Sequence, residues 1–290
     1  MPDTAIRLIA PSGYPHDRAA MARGVARLRE AGCTLSGLEV LERSEQRYAG
    51  SDAERAADLN ALAARDELPE VVLAIRGGYG ATRLLAQLHY DALRERLGGS
   101  STVLVGHSDF TALQLALHAQ SGLCTFSGPM LGADFGAETL SAFTWRHFWD
   151  TVRSPSTQVE WATAPGLELD VEGPLWGGNL AVLCSLIGTP YFPAIEGGIL
   201  FVEDVGEPPF RIERLLYQLH LSGAYDNGYD LADSFAQIRR ASGLPVLGGL
   251  PVGHEPDKFT LPFGAPARLR VAGGQARLDF SGYPYLPAYL

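Results

Sequence analysis

The sequence predicts an α/β fold whose first half is built on a parallel sheet, and three observations carry that prediction. Short apolar runs alternate with amphipathic stretches rich in Ala, Leu and Arg, the rhythm of strand-helix-strand units. Twice an apolar strand runs into a glycine-bearing turn and then a helix, at Arg76-Gly77-Gly78-Tyr79-Gly80 and at Gly106-His107-Ser108-Asp109. Between Ser154-Pro155-Ser156 and Pro165-Gly166 the rhythm breaks and no helical period appears. A chain of 290 residues is near the size at which a single core stops growing. Two domains are therefore expected, residues 1–155 and 166–290, joined at that break.

Each element has a local reason. Ala5-Ile6-Arg7-Leu8-Ile9-Ala10 reads as the first strand. Residues 19–31 carry Met21, Val25 and Leu28 at helical spacing and stop at Gly32. A helix over 53–65 begins after Ser51-Asp52, a good capping pair. The strand Val71-Val72-Leu73-Ala74-Ile75 feeds the first glycine turn, and a helix over 81–88 follows. Thr102-Val103-Leu104-Val105 feeds the second turn, and an apolar helix over 110–118 follows. In the second half, Gly177-Gly178-Asn179 precedes a short helix over 180–187, and Ile199-Leu200-Phe201-Val202 is a strand. Pro208-Pro209 opens and Gly223 closes a helix over 210–221. Near the end, 268–271 and 276–280 alternate polar and apolar residues about Gly273-Gly274, a hairpin by period and by turn.

Composition excludes several kinds of partner. With 23 Lys+Arg against 33 Asp+Glu the formal charge is −10, which repels a phosphate backbone, so no nucleic-acid partner is expected. No apolar stretch is long enough to span a bilayer, and Met1-Pro2-Asp3-Thr4 does not open a secretory leader, so a cytoplasmic protein without a membrane partner is expected. Cys33, Cys124 and Cys184 are odd in number and far apart, which argues against a disulfide framework or thiolate metal site and for three small buried apolar residues.

Four segments have the residue types for chemistry. Ser108 sits at the C-terminal end of a strand and the start of a helix, where an open α/β sheet binds ligands and where first-turn amides stabilise an anion. The segment departs from G-x-S-x-G, since Phe110 and Thr111 follow Asp109, and Ser108 or Asp109 also suits a helix cap. Three glycines among residues 77–80 let a backbone approach a ligand and aim its N–H groups at a negative oxygen. They match neither a P-loop nor G-x-G-x-x-G. Glu203-Asp204 ends a strand, and Gly253-His254-Glu255 lies in a turn-rich stretch. A serine nucleophile needs a base of near-neutral pKa, and that base needs a partner that fixes its tautomer. Ser108, Glu203 and His254 supply that set, and an inter-domain cleft is needed to assemble them.

Five segments in order resemble the LD-carboxypeptidases, serine peptidases of murein-tetrapeptide recycling, a family that also holds the microcin C self-immunity proteins. They are 75–80, 106–109, Gly173-Pro174-Leu175-Trp176-Gly177-Gly178-Asn179-Leu180, Leu200-Phe201-Val202-Glu203-Asp204 and Pro251-Val252-Gly253-His254. The resemblance runs from about Ile6 to about Arg270. It implies a cytosolic, metal-independent and cofactor-free homodimeric peptidase, with a Rossmann-like N-terminal domain, a smaller β-rich C-terminal domain and the active site between them. It also implies Ser108 as nucleophile, Glu203 as acid, His254 as base, and the amides of Gly78 and Asp109 as oxyanion hole. The bond cut would be the L,D bond that releases terminal D-alanine from a murein tetrapeptide. His107 departs from the family, in which an aromatic or apolar residue more often precedes the nucleophile.

The substrate contacts stay open at this point. Arg76 and Arg211 are the nearest cations for a free carboxylate, although Arg76 equally suits the strand-end loop and Arg211 an ion pair on a helix face. Trp176 and Asn179 either line the cleft or serve as core anchor and helix cap. Two rival functions use the same residues: a self-immunity hydrolase of peptidyl-nucleotide toxins, with Trp176 or Tyr79 stacking on the base, and a non-catalytic small-molecule binding module in which Ser108 is only a cap. A metal hydrolase built on His107, Asp109, Glu203 and His254 lacks any HxH or HExxH spacing.

Overall fold

The computed structural model describes residues 4–222, 243 and 245–287. In chain order its elements are β1 (Thr4–Ile9), α1 (Arg18–Glu30), β2 (Cys33–Ser36), α2 (Asp52–Asn60), β3 (Val71–Ala74), α3 (Tyr90–Leu97), β4 (Val103–Gly106), α4 (Thr111–Ser121), β5 (Thr125–Ser127) and α5 (Ala142–Val152). Then come β6 (Ser156–Ala162), β7 (Leu169–Asn179), α6 (Leu180–Ser185), β8 (Ile199–Glu203), α7 (Pro209–Leu221), β9 (Leu261–Phe263), β10 (Pro266–Ala272) and β11 (Gln275–Ser281).

Two sheets organise these elements. The first has the order β2-β1-β3-β4-β5-β9 and is parallel except for β9, which pairs antiparallel with β5. Its central strands β3 and β4 are buried at every residue, as apolar parallel strands covered on both faces must be. The second has the order β6-β11-β10-β7-β8 and is antiparallel except for β7 beside β8. Here β10 alternates strictly between exposed and buried residues, so one face is solvated and the other packs on the core. This is the two-part α/β architecture read from the sequence. No described helix is long and apolar enough to cross a membrane.

Four local readings change. Residues 81–87 form a 3₁₀ helix rather than an α-helix, and the helix expected over 53–65 is α only to Asn60, with a 3₁₀ turn over 61–64. The stretch read as a linker holds β6, an edge strand in which Val159 and Trp161 are buried among exposed neighbours. Cys33 and Cys184 are buried as expected, whereas Cys124 is only partly buried. Tyr283 and Leu286 of the Tyr/Pro-rich end pack on the body, and the Leu286 N–H donates to the Val152 carbonyl at 2.7 Å.

Candidate active site

The serine turn is made by glycines that remove side chains from a crowded place. Ser108 adopts φ +62, a left-handed conformation rare for a residue with a Cβ. A Cβ on Gly106 would come within 2.6 Å of the Phe110 ring, so only glycine lets β4 turn there. A Cβ on Gly77 would lie 2.9 Å from the Ser108 Cβ and 3.4 Å from the Asp109 nitrogen. The glycine loop after β3 therefore lies directly against the serine and the first amide beyond it. Gly78 follows in that loop, exposed, at φ +116.

The Asp109 carboxylate ties the surrounding loops. It accepts the Ser12 hydroxyl at 2.6 Å and the Ala81 N–H at 2.9 Å. Burial pushes its pKa up, partly offset by those two bonds. Behind the loop, fully buried Arg55 donates to the carbonyls of Pro11 at 2.6 Å and Gly80 at 3.0 Å, and pairs with Asp52.

The expected acid and base, Glu203 and His254, lie in the second half. Glu203 ends β8, opposite Asn179 at the end of β7. His254 Nδ1 lies 2.7 Å from Glu203 Oε2, so a neutral His254 carries its proton on Nδ1 and leaves Nε2 free to accept one. Gly253, at φ +67, makes this possible, because any Cβ there would overlap the Glu203 carboxyl group. Burial works to raise the Glu203 pKa, but the His254 hydrogen bond and charge hold it below the ordinary carboxylate value. The Glu203 hydrogen bond raises His254 above the ordinary imidazole value, against burial and the nearby Lys258 ammonium. These opposite shifts describe one carboxylate–imidazolium attraction.

Asn179 serves two ends at once. Its Oδ1 accepts the Val182 N–H at 3.1 Å and caps α6, while Nδ2 donates to Glu203 Oε1 and to Asp204 Oδ1, each at 3.2 Å. Its backbone N–H donates to Thr111 Oγ1 at 3.0 Å, so α4, three residues beyond Ser108, is bonded to the strand that holds the acid.

The structure thus brings the serine turn, the glycine loop and the acid–base pair to one place. His107, adjacent to Ser108, has its ring 5.2 Å from that of His254 at 85°. Among the described residues, Ser108 and His254 share no hydrogen bond. Arg76 is half-buried and donates to the Tyr14 carbonyl at 2.9 Å, with no carboxylate within ion-pair distance among the described residues. Its guanidinium lies beside the Cα of Gly13 and close to Gly78. Arg211, the other cation considered, pairs with Glu207 at 2.8 Å on the surface. Trp176 is 2% exposed and packs edge-on to Phe192, as a core anchor would. Asp134, Lys258, Ser12 and Thr111 were missed, since a lone charge or hydroxyl carries no local signal.

A groove of about 900 Å³ lies elsewhere, on the second sheet, lined by Gln158, Glu172, Arg268, Arg277 and Asp279 among others. Its arginines and carboxylates pair with one another, so it offers no unpaired charge to a ligand.

A serine at a strand end, a glycine loop against it and a histidine–glutamate pair beside it define a hydrolase of the Ser/His/acid kind on an α/β scaffold. Comparison with known proteins narrows that class. The LD-carboxypeptidase N-terminal domain matches residues 6–128, and the LD-carboxypeptidase C-terminal domain matches 172–229 and 226–269. The chain belongs to the LD-carboxypeptidase family and is a serine carboxypeptidase of that family. It is similar to the crystal structure of muramoyltetrapeptide carboxypeptidase from Oxalobacter formigenes, with TM-score 0.87 and 41% identity over 97% of this chain and 100% of that one. The murein tetrapeptide carboxypeptidase of Pseudomonas aeruginosa is 32% identical over 78% of this chain and 81% of its own. The microcin C7 self-immunity protein MccF of Escherichia coli is 28% identical over 83% of each.

Proposed function

We propose that this chain is a muramoyltetrapeptide carboxypeptidase, which hydrolyses the L,D peptide bond and releases terminal D-alanine from murein tetrapeptides in cell-wall recycling. The observation that carries the mechanism is the 2.7 Å Glu203–His254 pair beside a serine held at φ +62 against a glycine loop. We read Ser108, on segment 1–155, as nucleophile, and His254 and Glu203, on segment 166–290, as base and acid. The protein is read as a cytoplasmic homodimer.

His254 Nε2 takes the Ser108 proton as the hydroxyl oxygen attacks the scissile carbonyl, because Nδ1 is occupied by Glu203. The amides of Gly78 and Asp109 hold the oxyanion. Collapse of the tetrahedral state passes the His254 proton to the leaving amine of D-alanine and leaves an acyl-serine. Water then repeats the sequence and frees the shortened peptide. Glu203 stabilises the imidazolium at both stages, and one lost oxyanion donor costs about 100–1000-fold in rate. Arg76 is read as the partner of the substrate's terminal carboxylate.

The homologue names favour the murein substrate over a peptidyl nucleotide, and Trp176, one of the two aromatics considered for stacking on a base, is only 2% exposed. Asn179 is read as a support of Glu203 at the edge of the substrate cleft. The test is release of free D-alanine from a murein tetrapeptide by the native chain and by Ser108→Ala, with EDTA present and an L-Ala-terminated peptide as control. Release that disappears with Ser108→Ala supports the proposal. Absence of release by folded native protein overturns it, and an aminoacyl or peptidyl nucleotide becomes the next substrate.

A further inference from the structure

A buried polar cluster lies behind the acid–base pair and has no part in the steps above. His107 is 2% exposed and its Nδ1 lies 3.0 Å from the Gly128 carbonyl. A carbonyl only accepts, so Nδ1 carries the hydrogen. Asp134 is nearby, but its Oδ2 is 3.9 Å from that nitrogen and accepts the Met130 N–H at 2.7 Å, while Oδ1 holds the buried Lys258 ammonium. The carboxylate is therefore engaged by Lys258 rather than by His107. Burial disfavours a charge on His107, and the Lys258 ammonium acts in the same direction against the attraction of Asp134.

His254 needs what this cluster supplies. Among the described residues His254 makes one hydrogen bond, from Nδ1 to Glu203, about which the imidazole is free to tilt, and the ring is partly open to solvent, with a side chain 31% exposed. The His107 ring packs edge-on against it, in the T-shaped arrangement that aromatic pairs prefer. The other charged groups acting on His254 are Glu203 and Asp204 at the end of β8 and Lys258 from its own loop.

We propose that His107 is a positioning residue: an uncharged ring, pinned by the Gly128 carbonyl and shielded by the Asp134–Lys258 pair, that holds the His254 imidazole in the plane from which it takes the Ser108 proton. This rests on the roles given above to Ser108 and His254. Charge neutrality matters because a cationic His107 would oppose the positive charge His254 gains on accepting the proton.

The test uses the whole protein and two readouts. Labelling of Ser108 by a fluorophosphonate reads nucleophile activation without the natural substrate, and nitrogen-15 histidine NMR reads the tautomer of each ring. His107→Phe keeps an uncharged ring, and its labelling rate should stay within about 3-fold of native. His107→Gln keeps a donor of similar reach for Gly128 but loses the ring, and its rate should fall about 10-fold or more, as should the kcat of D-alanine release, with KM little changed. His107 should remain the neutral Nδ1–H tautomer over the pH range in which His254 titrates. A native-like rate in His107→Gln, equal losses in Gln and Phe variants, or a doubly protonated His107 in that range overturns the proposal. Labelling without D-alanine release by the native chain would overturn the murein substrate and leave this test intact, whereas an unlabelled native serine would sink both.

Discussion

Gly253→Ala tests the acid–base pair without touching a group that reacts. Two costs follow from the geometry. Residue 253 sits at φ +67, where a residue with a Cβ costs about 1–2 kcal/mol. The new methyl would also fall well inside 3.0 Å of the Glu203 Cγ, Cδ and Oε2. The carboxyl must retreat by about 1 Å to reach ordinary contact, and a displacement of that size costs about 100-fold where alignment matters. A retreat along the hydrogen bond would take the 2.7 Å contact to His254 beyond bonding range. Complete loss of the tautomer-fixing partner sets an upper limit of about 10,000-fold in kcat. We therefore expect kcat/KM for D-alanine release to fall by about 100-fold to 10,000-fold, with a loss of about 1–2 kcal/mol in stability. Steady-state assays on the native and variant proteins, with circular dichroism melts to establish folding, measure both. A folded Gly253→Ala retaining about a third or more of native kcat/KM would refute the reasoning.

Two further outcomes are expected. Arg76→Ala should raise KM for a tetrapeptide with a free terminal carboxylate about 10–100-fold with little change in kcat, and should erase any preference over the C-terminal amide, because its half-buried guanidinium has no acidic partner among the described residues. Equal discrimination between acid and amide by the variant and native proteins would exclude the role. Glu203→Gln should move the acid limb of kcat/KM to lower pH, since it removes the group that raises His254. Its stability effect has a defined sign. A raised His254 stabilises the fold fully below its unfolded pKa of about 6.5, and that stabilisation is lost as pH rises through the folded value; a lowered Glu203 contributes above its unfolded pKa of about 4.3, lost as pH falls through the folded value. Denaturant melts of native and Glu203→Gln proteins should thus differ most between about pH 4.5 and 6.5, and a difference that keeps growing above that window would contradict the assignment.

The first sheet was legible because fully buried parallel strands are written as unbroken apolar runs, and β3 and β4 each end at glycines that only a tight turn explains. What escaped was non-local. In β6 only Val159 and Trp161 are buried, and two apolar residues in a polar stretch between prolines do not outweigh the turn signals around them. That β9 pairs with β5 is set by contacts between segments more than a hundred residues apart, which no local period encodes. The 3₁₀ helix at 81–87 buries Ala81, Leu84 and Leu85, a spacing that serves either helix type. The triad residues stood out because a serine after a strand and a histidine beside a glycine imply a role together. Asp134 and Lys258 are single charges whose burial exists only once the elements that carry them have packed.

The arrangement explains why a site split across the two halves of the chain can hold its alignment. Thr111, three residues past Ser108, accepts the N–H of Asn179, and Asn179 in turn donates to Glu203. Gly178 is required beside them, since a Cβ there would come within 2.5 Å of Thr111 Oγ1. Serine and acid are thus linked through two hydrogen bonds and one side chain rather than through the stiffness of either sheet. His254 enters on a third segment, seven residues before β9, and β9 is itself bonded to β5 of the sheet that carries the serine. Ser108, Glu203 and His254 each stand close to a bond between segments, so a change at Thr111 or Gly178 should reach Glu203 through Asn179. The glycine loop is fastened separately, through Asp109, Ser12 and Arg55, and Arg76 through the Tyr14 carbonyl. The fold keeps the Ser108–Glu203 linkage and the Arg76 contact on different sets of hydrogen bonds, so damage to the first, like damage to the Gly78 and Asp109 amides, should appear in kcat, and loss of Arg76 in KM.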